Sequence, residues 1–163
     1  MNAFHSPMRN LRGLVFAAAL VGAMPAMATV DDAQSFALEA ATSWVEKGVE
    51  IRYDYANGST ISGRKVRVSY QVFKGNSYWF FAGGSEDGVK FDMTVKDPDG
   101  KVVAGDLSKG NNSATYHFTA PRTMLVSIEL TGTTSPGLPF DWAIVYGYKG
   151  KGKAAENSTG KKE

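Results

Sequence analysis

The chain has 163 residues, 43% of them hydrophobic and 21% charged, with 18 Gly and 6 Pro, a composition that fits one globular domain with short appendages. It contains no Cys, which excludes disulfide frameworks, thiolate zinc sites, CxxC redox chemistry and a cysteine nucleophile. Of eighteen basic residues, Arg9 and Arg12 lie in an N-terminal leader, and Thr29 to Tyr148 holds eleven basic against fourteen acidic ones, so by composition the body is not expected to bind nucleic acid, which requires a face that neutralises several phosphates.

Met1 to Ala28 has a basic start, an apolar stretch from Leu14 to Met24 and then Pro25-Ala26-Met27-Ala28. Small residues at Ala26 and Ala28 give the spacing a signal peptidase reads, and the apolar run is short for a hydrocarbon core of ~30 Å. The leader reads as a cleaved export signal, with a retained membrane anchor as the alternative. No cysteine follows for a lipid anchor, and no later segment is apolar for long enough to cross a membrane. The mature chain is therefore expected in the periplasm or outside the cell, with no transmembrane segment after cleavage.

Residues 29–48 read as one amphipathic helix. Thr29 to Asp32 has capping spacing, Gly48 can supply the left-handed residue that ends a helix, and Phe36, Ala40 and Trp44 fall on one stripe. Residues 49–148 then alternate with a period of two. Ile51, Tyr53 and Tyr55 precede an expected tight turn at Asn57-Gly58. Val66, Val68, Tyr70 and Val72 form the next inward row, ended by Lys74-Gly75-Asn76.

Tyr78-Trp79-Phe80-Phe81-Ala82 is apolar on both faces. Val89, Phe91, Met93 and Val95 lead into a turn at Asp97-Pro98-Asp99-Gly100, followed by an expected strand from Lys101 to Ala104. Tyr116 and Phe118 form a short strand before Pro121. Two further rows are Met124, Val126, Ile128, Leu130 and Phe140, Trp142, Ile144, Tyr146, Tyr148. Seven or eight strands with no helix between them predict a mainly β fold: an antiparallel, jelly-roll-like β-sandwich preceded by one helix. From Lys149 to Glu163, low hydrophobicity, Gly and Lys predict a disordered, solubilising tail, with electrostatic contact to an anionic surface as the alternative.

The succession Gly75 to Ala82, then Phe91 to Ala104 with its Asp97-Pro98-Asp99-Gly100 hairpin, then Tyr116-His117-Phe118-Thr119-Ala120-Pro121 and Val126-Ser127-Ile128 resembles the bacterial pre-peptidase C-terminal domain. That family and the related GOLD domains are small jelly-roll sandwiches, and the likeness spans residues 61–148. It implies a non-catalytic accessory module, since members usually accompany secreted hydrolases and some bind matrix polymers. This chain departs from the pattern in carrying no enzyme domain.

Few constellations offer chemistry. His117 is the single histidine after the leader, and with Tyr116 and Phe118 inward its imidazole is expected to face solvent. No G-x-S-x-G elbow, H-E-x-x-H pair or P-loop is present. Asp92, Asp97, Asp99, Asp106, Glu129 and Asp141 are scattered, with no spacing that selects a glycosidase pair. Asp97 and Asp99 are the candidates for Ca²⁺, but two carboxylates fall short of the six to eight oxygens it takes, and a hairpin selects the same residues for dihedral reasons. No cofactor is expected otherwise.

For the outer pair Trp79 and Phe81 the favoured expectation is that the helix packs its Phe36 and Trp44 stripe over both and closes a second small core; left open, the two rings are the candidate ligand-binding platform, for sugar rings or a hydrophobic partner. The sequence thus reads as an exported, non-catalytic binding or accessory module for a polysaccharide or an envelope or extracellular protein. The alternatives are a structural interaction protein of the envelope and a small carboxylate-based hydrolase.

Overall fold

The structure, a computed structural model, describes residues 29–135 and 137–151. The expected export signal, Met1 to Ala28, and the tail from Gly152 onward lie outside the described residues. One helix, α1 (Val30–Val45), is followed by eight strands: β1 (Glu50–Ile61), β2 (Lys65–Val72), β3 (Ser77–Gly84), β4 (Lys90–Lys96), β5 (Asp106–Lys109), β6 (Ser113–Thr119), β7 (Met124–Thr133) and β8 (Pro139–Lys149). They form a five-stranded sheet in the order β1-β8-β3-β6-β5 and a three-stranded sheet in the order β2-β7-β4, with every pairing antiparallel. The nested pairs β1·β8, β2·β7 and β3·β6 are the pattern of a jelly roll, so the chain is a β-sandwich preceded by a helix.

The alternating rows fill the interior as their period requires. Val72, Phe80, Val95, Phe118, Val126, Ile128 and Ile144 are fully or almost fully buried between the sheets. The inward residues change character along the sandwich. One end holds Phe91, Leu130 and Phe140; Tyr70, Tyr78, Tyr146 and Tyr148 are all inward on the same main core.

A second core lies on the outer face of the five-stranded sheet, where α1 packs over Trp79, Phe81 and Val145. The helix starts as its sequence predicts: the Thr29 N–H donates to Asp32 Oδ2 at 2.7 Å. Past its end, Gly48 is left-handed at φ +85°. Its most buried stripe is Ala33, Ala37 and Ala41, one position beyond the expected Phe36, Ala40 and Trp44, which flank it half-buried. The reason is close approach. Gly83 continues the outward row of Trp79 and Phe81, and a Cβ built there would overlap the Ala33 carbonyl and come within 2.5 Å of the Ala37 nitrogen. Only small residues let helix and strand backbones meet at one end while the two large rings fill the other.

Four other expectations are corrected. Asn57-Gly58 makes no turn: it lies inside β1 opposite Ala143 and Trp142, with Gly58 beneath the Trp142 ring, and the chain turns instead at Gly63, φ +80°. The alternation Ile51, Tyr53, Tyr55 breaks because Arg52 pairs with Tyr146 but Ala56 pairs with Ile144; four steps along β1 match two along β8, and the extra residues bulge outward with Tyr53 97% exposed. Lys101 to Ala104 contributes one isolated bridge, Lys96 to Val102, while β5, short and exposed throughout, takes the sheet edge. Lys149, expected to begin the tail, closes β8 opposite Ser77.

Candidate functional site

The helix covers the outer pair Trp79 and Phe81, so the two rings form no open platform. Trp79 is 6% exposed and Phe81 0%, both under α1. Burying the pair stabilises the fold by about 2–3 kcal/mol each, which explains why a helix with a matching face is spent on them. Trp44 lies over Trp79 with ring centroids 5.4 Å apart, and the His117 imidazole stacks on Trp79 at 4.4 Å. The imidazole is therefore half-covered by the helix and does not stand free in solvent. Its Nδ1 lies 3.9 Å from Asp106 Oδ2. Burial pushes its pKa down, and Asp106 partly opposes that shift.

Asp97 and Asp99 form a tied turn. Asp97 Oδ1 accepts from the Asp99 and Lys101 N–H groups at 3.0 and 2.9 Å, Gly100 sits at φ +78°, and the Arg122 guanidinium lies 3.6 Å from Asp97 and 3.1 Å from Asp99. The carboxylate oxygens are directed to backbone donors and an arginine, which is the hairpin chemistry of Asp-Pro-Asp-Gly. Among the described residues no three His, Asp or Glu side chains are grouped as a metal would need.

What the structure does offer is a cleft of about 250 Å³ at the tyrosine-rich end of the sandwich, where the inward faces of β3 and β8 come to the surface beside the end of β2. Tyr78 and Tyr148 are cross-strand partners with rings 6.2 Å apart, and Tyr146 continues the row. The Arg52 guanidinium lies 5.9 Å from the Tyr148 ring centre. Phe73, more than half exposed, forms the opposite lip together with Gln71 and Asn76. The lip is fixed by backbone: the Phe73 N–H donates to the Tyr78 hydroxyl at 2.8 Å, and the Gly75 N–H donates to the Ala120 carbonyl at 2.8 Å with Gly75 at φ +84°. Deeper in, Tyr70 packs on Tyr146 at 4.7 Å. Burial first, and the nearby charge of Asp54 second, push its phenol above its usual range, so it stays neutral.

Among the described residues the cleft thus presents aromatic faces, one guanidinium and two amides, and no carboxylate lines it. A second hollow, between α1 and the β5–β6 turn, is lined by polar residues of the helix surface and by Phe36 as its one ring. The alternating pattern placed Tyr78, Tyr146 and Tyr148 inward but gave no sign that the sheets part there. The available signal was chemical. Tyrosine needs water or a partner for its hydroxyl, so a cluster of inward tyrosines marks a wet end of a sandwich.

No protein-family model matches the chain, and no curated protein matches it. Among solved structures it is similar to PliG of Aeromonas hydrophila, a periplasmic lysozyme inhibitor of g-type lysozyme, with 14% identity, a TM-score of 0.45, and coverage of 63% of this chain and 90% of that one.

Proposed function

We propose that the chain is an exported, non-catalytic binding module that takes a polysaccharide in the aromatic cleft. The observation that carries this reading is the composition of the cleft: Tyr78, Tyr146, Tyr148 and Phe73 offer ring faces, and Arg52, Gln71 and Asn76 offer directional donors. A sugar ring needs that combination, since its C–H face is apolar and its rim is all hydroxyls. The cleft is smaller than the ~300–1,000 Å³ of drug-sized pockets, so it suits one ring unit of a polymer whose remainder runs outside. A glycosidase would need two carboxylates ~5 to 9 Å apart in its cleft, and the lining supplies none. The leader argues for export, and among the described residues no helix is long and apolar enough to cross a membrane. The resemblance of residues 61–148 to the pre-peptidase C-terminal domain points the same way.

The bulge of β1 favours a second reading, an envelope or extracellular protein as partner. Tyr53 stands almost fully exposed beside half-exposed Tyr55, and rigid exposed tyrosines are typical protein contacts. Retention on insoluble and arrayed polysaccharides, with soluble proteins including g-type lysozyme as parallel probes, separates the two. The polysaccharide reading expects Tyr148→Ala to weaken retention about tenfold, ~1.4 kcal/mol, and Tyr53→Ala to leave it intact. Binding to a protein alone, lost in Tyr53→Ala, would establish the second reading and end the first.

A further inference from the structure

The outer face of the three-stranded sheet is uncovered, and its chemistry is unlike the rest of the molecule. Its outward rows include Lys65, Arg67, Ser69 and Gln71 on β2, Ser127 and Glu129 on β7, and Lys90, Asp92 and Lys96 on β4, with threonines between them and half-exposed Leu125 opposite Gln71. At its centre Glu129 is 5% exposed and accepts Lys65 Nζ at 3.0 Å, Lys96 Nζ at 2.9 Å and the Arg67 guanidinium. One carboxylate cannot neutralise three cations, so two positive charges remain, fixed in place by the carboxylate between them. Lys65 and Arg67 are 55% and 65% exposed and keep unused donors toward solvent. Adding Lys90 and the Lys109–Asp92 pair, this face gathers five of the eleven cations in Thr29 to Tyr148 but two of the fourteen carboxylates. Over the rest of Thr29 to Lys151 there are eight cations to twelve carboxylates.

This face is continuous with the cleft. Gln71 belongs to the outward row of β2 and also lines the cleft, and from Gln71 to Lys65 the row extends roughly 20 Å. We infer that the ligand is an anionic polysaccharide, bearing carboxylate or phosphate groups, that seats one ring in the cleft and runs along β2 over Ser69 to Arg67 and Lys65. The inference rests on the polysaccharide reading above and adds the charge and the path. Charge complementarity carries it: among the described residues the cleft is lined by one guanidinium and no carboxylate, and it opens onto the most basic face of a body that is acidic on balance. Glu129 organises that face. Its three partners hold its pKa down at about 2, so it stays ionised and keeps the cations aligned at any physiological pH.

The test uses the full mature chain and four probes: a uronic-acid polysaccharide, the same polymer after carboxyl reduction, a phosphate-bearing polysaccharide and duplex DNA. Affinities are measured at low and high salt for wild type, Tyr148→Ala and the double variant Lys65→Gln/Arg67→Gln, with urea unfolding confirming that each variant is folded. The expected result is about tenfold or more tighter binding of the acidic polymer than of its reduced form, a difference lost in the double variant and at high salt. Tyr148→Ala should weaken both forms. The carboxylated and phosphorylated arms identify which anion is preferred. Equal binding of acidic and reduced polymer, sensitive to Tyr148, would overturn the inference and leave the cleft reading standing. Binding that needs Lys65 and Arg67 but not Tyr148, or DNA held as tightly as the polysaccharide, would overturn the path and the sugar class. No binding of any polysaccharide would overturn both readings.

Discussion

Adding a single methyl group at Gly83 should unseat the helix. A Cβ there overlaps the Ala33 carbonyl, approaches the Ala37 nitrogen to 2.5 Å and the Phe36 Cβ to 3.1 Å. Ordinary van der Waals contact begins near 3.4 Å, so α1 must lift by roughly 1 Å at its N-terminal half. A gap of that size forfeits about a quarter to a half of the dispersion well for the atoms facing it. Overpacking of this kind costs ~1–3 kcal/mol, while replacing a strand glycine by alanine returns ~0.5–1 kcal/mol through the unfolded chain. Gly83→Ala should therefore destabilise the protein by about 1–2 kcal/mol. Full undocking would cost more, because Phe81, Trp79 and Val145 would each give up ~1.5–3 kcal/mol of burial. Urea unfolding followed by tryptophan fluorescence reads both effects, since the Trp44–Trp79 contact reports helix seating. Gly150→Ala is the control, because a Cβ there meets only Asn76 Oδ1 at 3.8 Å. If Gly83→Ala proved as stable as Gly150→Ala, the close helix–strand contact would be refuted.

The remaining predictions concern charge and turns. His117 has a folded pKa below its unfolded one, so the unfolded chain binds more protons; its stabilising contribution is complete above about pH 6.5 and fades as pH falls toward the folded value. The midpoint of urea unfolding should drop between pH 7.5 and pH 5, and His117→Gln should flatten that drop. Glu129 has its folded pKa lowered to about 2, so its contribution is present above an unfolded pKa of about 4.3 and is lost as pH falls through about 2; acid titration of Glu129→Gln by circular dichroism should lack this limb. Asn112 is buried at φ 56°, and its Oδ1 accepts the Gly88 N–H at 2.6 Å. Asn112→Ala should cost about 2–3 kcal/mol and Asn112→Gly about 1–2, since glycine removes the hydrogen bond but not the backbone compatibility; equal losses for the two in urea unfolding would show that the dihedral contributes nothing.

The interior rows of β2 and β4 were legible because each alternates through its whole length, and those of β6, β7 and β8 because their large inward residues keep the period of two even where the other face is also covered. The start of α1 was legible because Thr29 and Asp32 carry a local signal. The failures share a physical cause: a neighbour far along the chain overrode a local preference. Asn57-Gly58 is a hairpin signal in isolation, but Trp142, more than eighty residues later, needs the space above Gly58. Phe36 and Trp44 mark the largest residues of the helix, whereas the buried stripe is set by Gly83 and falls on alanines. Strand β5 carries no alternation because every one of its residues is exposed. Trp79 and Phe81 were correctly separated from Tyr78 and Phe80, yet whether a ring faces a helix or solvent depends on docking that no strand pattern encodes. The cleft depends on where two sheets part, which is a property of both layers and of neither sequence segment alone.

The nested strand order has a consequence for how the chain matures. The innermost partners, β3 and β6, can meet after a modest loop closes, while β1 must wait for β8, the final strand made. Contacts of such long reach slow assembly. The helix sits on β3, β8, β1 and β6 together, so the first of the described elements has nowhere to rest until the last one is in place. In the interval Trp79 and Phe81 stay wet, an exposed aromatic patch that the docked helix later hides. The helix is in that sense a clasp, first among the described elements and last to be fastened.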